Sequence, residues 1–71
     1  MKKPQTYTIF TNTRQGSGSV DVLSFSFKEA FDSLPISTRQ RAISIKDSLG
    51  AEMLVYQMEL WTKEQYDNFN L

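Results

Sequence analysis

The chain contains no cysteine and no histidine. The first absence excludes disulfide staples and thiolate metal sites. The second removes imidazole ligands and the usual general base at neutral pH. Together they exclude nucleophilic catalysis based on Cys or His. An excess of charge of either sign is also missing, because eight Lys and Arg balance eight Asp and Glu. That balance, with a pI near 6.1, is unlike the basic footprint of most nucleic-acid binders. The longest apolar run is only Met53-Leu54-Val55-Tyr56. A secretory signal core needs about 7–15 apolar residues and a membrane helix about 20. These absences predict a cytoplasmic protein with no membrane association, and the lack of Cys suits a reducing compartment.

What is present is a chain of 71 residues, expected to form a single compact α+β domain over 1–71. A domain near 60 residues buries only about 60% of its unfolded surface. With no disulfide or Cys/His metal staple possible, a partner or a second copy is the remaining source of buried area.

Two Thr-, aromatic- and β-branched-rich runs, Gln5–Thr11 and Val20–Phe25, flank the Gly- and Ser-rich stretch Thr13–Ser19. This pattern predicts a β-hairpin with a loop longer than a tight turn and a mobile tip. Ser26 with Glu29 forms a capping box, and Phe27, Ala30, Phe31 and Leu34 follow at helical spacing. Pro35 ends that helix. Ser37 with Gln40 reads as a second capping box, Ala42, Ile45 and Leu49 as one apolar face, and Gly50 as a C-cap. The expected helices are therefore about 27–34 and 38–49, or a single bent helix. Met53–Thr62 alternates as one strand, with Leu54, Tyr56, Met58 and Leu60 facing the core. Thr62 with Gln65 makes a third capping box, Trp61 and Tyr66 a hydrophobic staple, and 63–69 a short helix. The predicted order is β-β-α-α-β-α, a three-stranded, mostly antiparallel sheet with helices packed on one face.

No catalytic residues, metal ligands or cofactors are expected. The carboxylate pairs Glu29/Asp32 and Glu64/Asp67 sit in helical first turns, where they offset the helix dipole. The fourteen Ser and Thr fall at predicted caps, turns and strand faces. Gln15–Ser19 lacks the phosphate-loop pattern and precedes a strand instead of a helix.

Binding is therefore the expected work. If Leu23, Phe25 and Phe27 face the helices, then Val20, Val22, Met53, Val55 and Trp61 form a second apolar face. That face marks an interface unless the C-terminal helix lays Tyr66, Phe69 and Leu71 over it. The strand Thr6–Thr11 carries no charge and no Pro, and reads as an open edge for a dimer seam or a partner strand. The expected function is a small non-enzymatic interaction or regulatory protein. It would occlude or bridge a macromolecular protein partner, as compact regulators and inhibitors do, alone or as a homodimer, using Arg14, Val22, Val55 and Trp61. The alternative is a nucleic-acid-binding regulator using Arg39, Arg41 and Lys46 on the basic segment 38–49. Lys2, Lys3 and Arg14 would extend that patch. The two Arg would stand at the unfavourable N-terminal end of the helix.

Overall fold

Local rules set most of the chain's elements. The computed structural model describes residues 3–69. Along the chain come β1 (Gln5–Thr13), β2 (Gly16–Ser24), α1 (Phe27–Asp32) and α2 (Ile36–Arg41). They are followed by β3 (Ala42–Lys46), β4 (Glu52–Tyr56), β5 (Glu59–Trp61) and α3 (Lys63–Phe69). The strands form one sheet in the order β2-β1-β3-β4-β5, antiparallel at every seam. The α+β class and the antiparallel sheet agree with expectation. The sheet has five strands, not three, and the order is β-β-α-α-β-β-β-α.

Alternation along β1 aims Tyr7 and Ile9 at one face, where both are buried. Ile9 stands opposite Ile45 of β3. Each is wholly excluded from solvent, and they form the centre of the core. Ala30 and Phe31 of α1, with Leu34 just beyond it, close over this face. Phe27 meets Tyr7 edge to face, with centroids 5.0 Å apart. The Ser26 hydroxyl caps α1 by accepting from the Glu29 amide at 3.1 Å, as the capping box predicts.

The segment 38–49 is not a helix. α2 ends at Arg41 after six residues and buries none of them. Pro35 is its N-cap, and no side chain caps it, so Ser37 falls inside the first turn and the second capping box does not form. Ala42–Lys46 runs on as a strand that buries Ile45 against Ile9 of β1, a conformation that β-branched Ile43 and Ile45 accept readily. A register shift after Phe10 pairs Thr11 with Ala42 and leaves Ile43 as the extra residue. The bulge lets Ala42 and Ile45 both reach the core while Ile43 stays half exposed. Gly50 (φ +92°) serves the β3–β4 turn and not a helix end. There the Asp47 carboxylate accepts from the Leu49 and Ala51 amides at 2.9 and 2.8 Å.

The single strand expected over 53–62 is two strands. Gln57 and Met58 take φ +53° and +65°, the left-handed pair of a two-residue type I′ hairpin turn. Neither is Gly, Asn or Asp, so the turn is strained. Replacing them with Asn and Gly is expected to raise stability by about 1–2 kcal/mol. A urea midpoint that does not rise would show that the turn carries no strain.

The turn reverses the expected faces of Met53–Tyr56, while Leu60 on the core side and Trp61 on the other stand as the alternation predicts. Met53, Val55 and Leu60 share the core side with Ile45, while Leu54, Tyr56 and Trp61 face the other way. Here α3 lies against β4 and β5. Tyr56 packs on Trp61, Tyr66 and Phe69, with centroids 5.6–6.2 Å apart, and Phe69 lies 5.3 Å from Trp61. The third capping box forms completely: the Gln65 amide donates to the Thr62 hydroxyl, and the Thr62 amide to Gln65 Oε1, each at 3.0 Å. Helices therefore occupy both faces of the sheet. Leu71, expected to join this cover, lies outside the described residues.

Candidate functional site

The fold divides the expected partner surface. Val22 stands opposite Tyr7 and packs against the helical core, and Val55 does the same beside Leu60. Both are corrections to the second-face reading. A one-residue change of register moves a side chain to the other face, and the cross-strand partners set that register. Trp61 does lie opposite the helical core, but under Phe69 of α3. Its indole Nε1 is buried without a hydrogen-bond partner among the described residues.

The open edge is not the N-terminal strand. β1 is interior, hydrogen-bonded to β2 on one side and β3 on the other. The edges are β2 and β5. β5 has three residues and runs directly into α3, so it offers little backbone. β2 has nine, about 30 Å of strand, and carries a single charge, Asp21. The Gly- and Ser-rich stretch expected as a long loop is mostly strand, because only Arg14 and Gln15 form the turn. Gly16 supplies the positive φ (+128°). The Thr13 hydroxyl donates to the Gly16 carbonyl at 2.9 Å and accepts from the Gln15 amide at 3.2 Å.

Among the described residues, α3 packs against β4 and β5, and the second face of β1 and β2 beside this edge has no helix packed on it to the same extent. Register places Thr6, Thr8 and Phe10 opposite Leu23, Asp21 and Ser19 there. Between Phe10, Ser19, Ser44 and Lys46 lies a shallow depression of about 490 Å³. Leu23 is 72% exposed and Phe25, just past the strand, 51%. Alternation with Phe27 predicts Leu23 and Phe25 on the core side, but a Leu23 paired with Thr6 faces away from it.

The basic helix face does not exist. Lys46 is a strand residue opposite Glu52, Arg39 lines a hollow beside the β4–β5 turn, and Arg41 lines another beside the β1–β2 turn. Arg39 and Arg41 fall in the last turn of α2, the favourable end for cations, and not the first as expected. What the fold brings together instead is Arg14 with Arg41. No spacing rule links these two. Of the other cations expected to extend the patch, Lys2 lies outside the described residues.

A further groove of about 570 Å³ lies between α1 and the β4–β5 hairpin, floored by Phe27, Phe31, Met53 and Leu60, with Met58 at its side. Among the described residues, no three Asp or Glu side chains cluster to hold a metal ion. No described helix is long and apolar enough to cross a membrane. In comparisons with protein-family models, curated proteins and solved structures, nothing matches this chain.

Proposed function

We propose that this protein is a non-enzymatic regulator that binds a protein partner by taking an extended segment of it onto the β2 edge. The observation that carries this reading is the β2 edge itself. It is nine residues long, it has one charge to oppose pairing, and exposed Leu23 and Phe25 lie at its end. Backbone amides and carbonyls along such an edge supply affinity for an added strand, and neighbouring apolar side chains supply selectivity. Capping that edge would occlude or bridge the partner segment, which is how a chain this small can inhibit a larger protein. A second copy of the chain, paired edge to edge about a twofold axis, is the homodimeric form of the same chemistry.

Leu23→Lys tests the reading. A Lys on an edge strand opposes strand addition. At a residue so exposed it is expected to change stability by no more than about 0.5 kcal/mol. The variant should lose partner binding at least tenfold while its circular dichroism and melting stay as in the wild type. Hydrogen exchange in the wild-type complex should slow at amides of 17–23. Undiminished binding by the variant, or protection confined to other strands, would refute the proposal. Light scattering separates the two forms: a monomer at high concentration removes the homodimer.

A further inference from the structure

Beside α3, solvent reaches the second face of β2, β1 and β3: Asp21 and Lys46 are exposed there, and Thr8 and Phe10 half buried. Register sets one row of side chains straight across that face. Asp21 of β2 stands opposite Thr8 of β1, Thr8 opposite Lys46 of β3, and Lys46 opposite Glu52 of β4. An anion and a cation thus flank the central strand, each one strand spacing, about 4.8 Å, to its side. The next row holds Ser19, Phe10 and Ser44. Phe10 lines the depression of about 490 Å³, with the bulged Ile43 of β3 and the small residues Ser17, Gly18 and Ser19 of β2.

This pattern is complementary to itself. A second copy laid face to face, about a twofold axis running along β1, exchanges the two flanks of that strand. Its β2 lies over β3, and its β3 over β2. Asp21 of each copy then meets Lys46 of the other, and Phe10, on the axis, meets Phe10. Half-exposed Ile43 falls over the small Ser17 and Ser19 of the facing β2. Leu23 falls over the facing β3–β4 turn, which carries Leu49, 88% exposed. Sheets packed in this way stand about 10 Å apart, a gap that a Lys and an Asp span together. The facing sheet ends at its β2, over β3, so α3 on β4 and β5 lies beside it and not beneath it. Asp21 and Glu52 on the same row disfavour a nucleic acid as the occupant.

We infer that this chain pairs face to face with a second copy through the outer surface of β2, β1 and β3, with Asp21 and Lys46 as reciprocal contacts. The inference does not rest on strand docking at β2. The facing α3 comes to stand beside β2, so a docked segment and a second copy exclude one another. Three strand spacings by nine residues give a face of about 450 Å² a side, against about 800 Å² for a stable complex, so the pair is a weak one.

Sedimentation equilibrium of the full chain should show monomers at about 10 µM and a mass rising toward twice 8.2 kDa at about 1 mM. Asp21→Lys and Lys46→Asp each set like charges against one another across the axis. Each should weaken pairing at least tenfold at low salt, with circular dichroism as in the wild type. Mixed in equal amounts, the two variants should pair about as tightly as the wild type, because each then meets its opposite. Dilution of the labelled wild type should move amides of 8–10, 19–21 and 43–46. A chain still monomeric at about 1 mM overturns the inference. A mixture that pairs no better than its parts does so too. Lys46 lies two strands in from the β2 edge, so pairing that survives Lys46→Asp, or dilution shifts confined to 16–24, would overturn it in favour of copies joined edge to edge. Should a variant not fold, the wild-type shifts at 43–46 decide alone.

Discussion

Replacing Ile45 with Ala is expected to remove about 3–4 kcal/mol of folding stability. Ile45 is wholly buried, and it faces an equally buried Ile9 across the β1–β3 seam. Truncation leaves a cavity between the central strands, where the sheet below and α1 above allow little collapse. The whole stability of a chain this long is on the order of 4–10 kcal/mol, so the loss is a large share of it. The melting temperature should fall by roughly 15–25 °C. Ile43→Ala is the control, two residues away in the same strand. Ile43 is the bulged residue, 49% exposed, and its truncation should cost under about 1 kcal/mol. Equal losses at the two positions would mean that the bulge does not turn Ile43 away from the core. Ile9→Ala should resemble Ile45→Ala. The double variant should be non-additive, because the two side chains share one contact.

The second large effect is expected at Tyr56. Its ring packs on Trp61, Tyr66 and Phe69 and so joins the β4–β5 hairpin to α3. Tyr56→Ala should cost about 2–3 kcal/mol, below the value for a fully buried aromatic because Tyr56 is only half buried. Trp61 is the sole tryptophan, so its fluorescence reports this cluster directly. The variant's emission should shift to the red and quench more readily by iodide, while the β1–β2 amides keep their exchange protection. An unshifted emission would show that α3 stays docked without Tyr56. For the same reason Trp61→Ala is a stability variant, and Leu23→Lys is the cleaner probe of partner binding.

How much of the site could be read in advance differs residue by residue. Arg14 was legible as a turn residue, and Trp61 as a residue of the face away from the main core. Leu23 was not legible, because its face depends on which residue of β1 it meets, and that is Thr6. Val22 and Val55 were misplaced for the same reason. Arg41 as a companion of Arg14 had no local signal at all, since the two meet only through the β1–β3 seam that carries Ala42 beside Thr11. The type I′ turn was hidden because its usual residues are Asn and Gly, and here they are Gln57 and Met58.

The sequence by itself determined what depends on neighbours a few residues apart. The caps at Ser26 and Thr62, the end of α1 before Pro35 and the pairing of the first two strands all follow from such local chemistry. The missing Cys and His likewise exclude disulfides and imidazole chemistry in any fold. Only the tertiary structure decided that Ala42–Lys46 is a strand, that β2 is the long bare edge, and that helices occupy both faces. The spacing of Ala42, Ile45 and Leu49 fits a helix, and that of Ile43 and Ile45 fits a strand. Burying Ile45 against Ile9 outweighs a six-residue helix continuing without a cap, and a bulge reconciles the register. Which face a strand residue occupies is a property of its partner strand, and partners far along the chain leave no mark on local sequence.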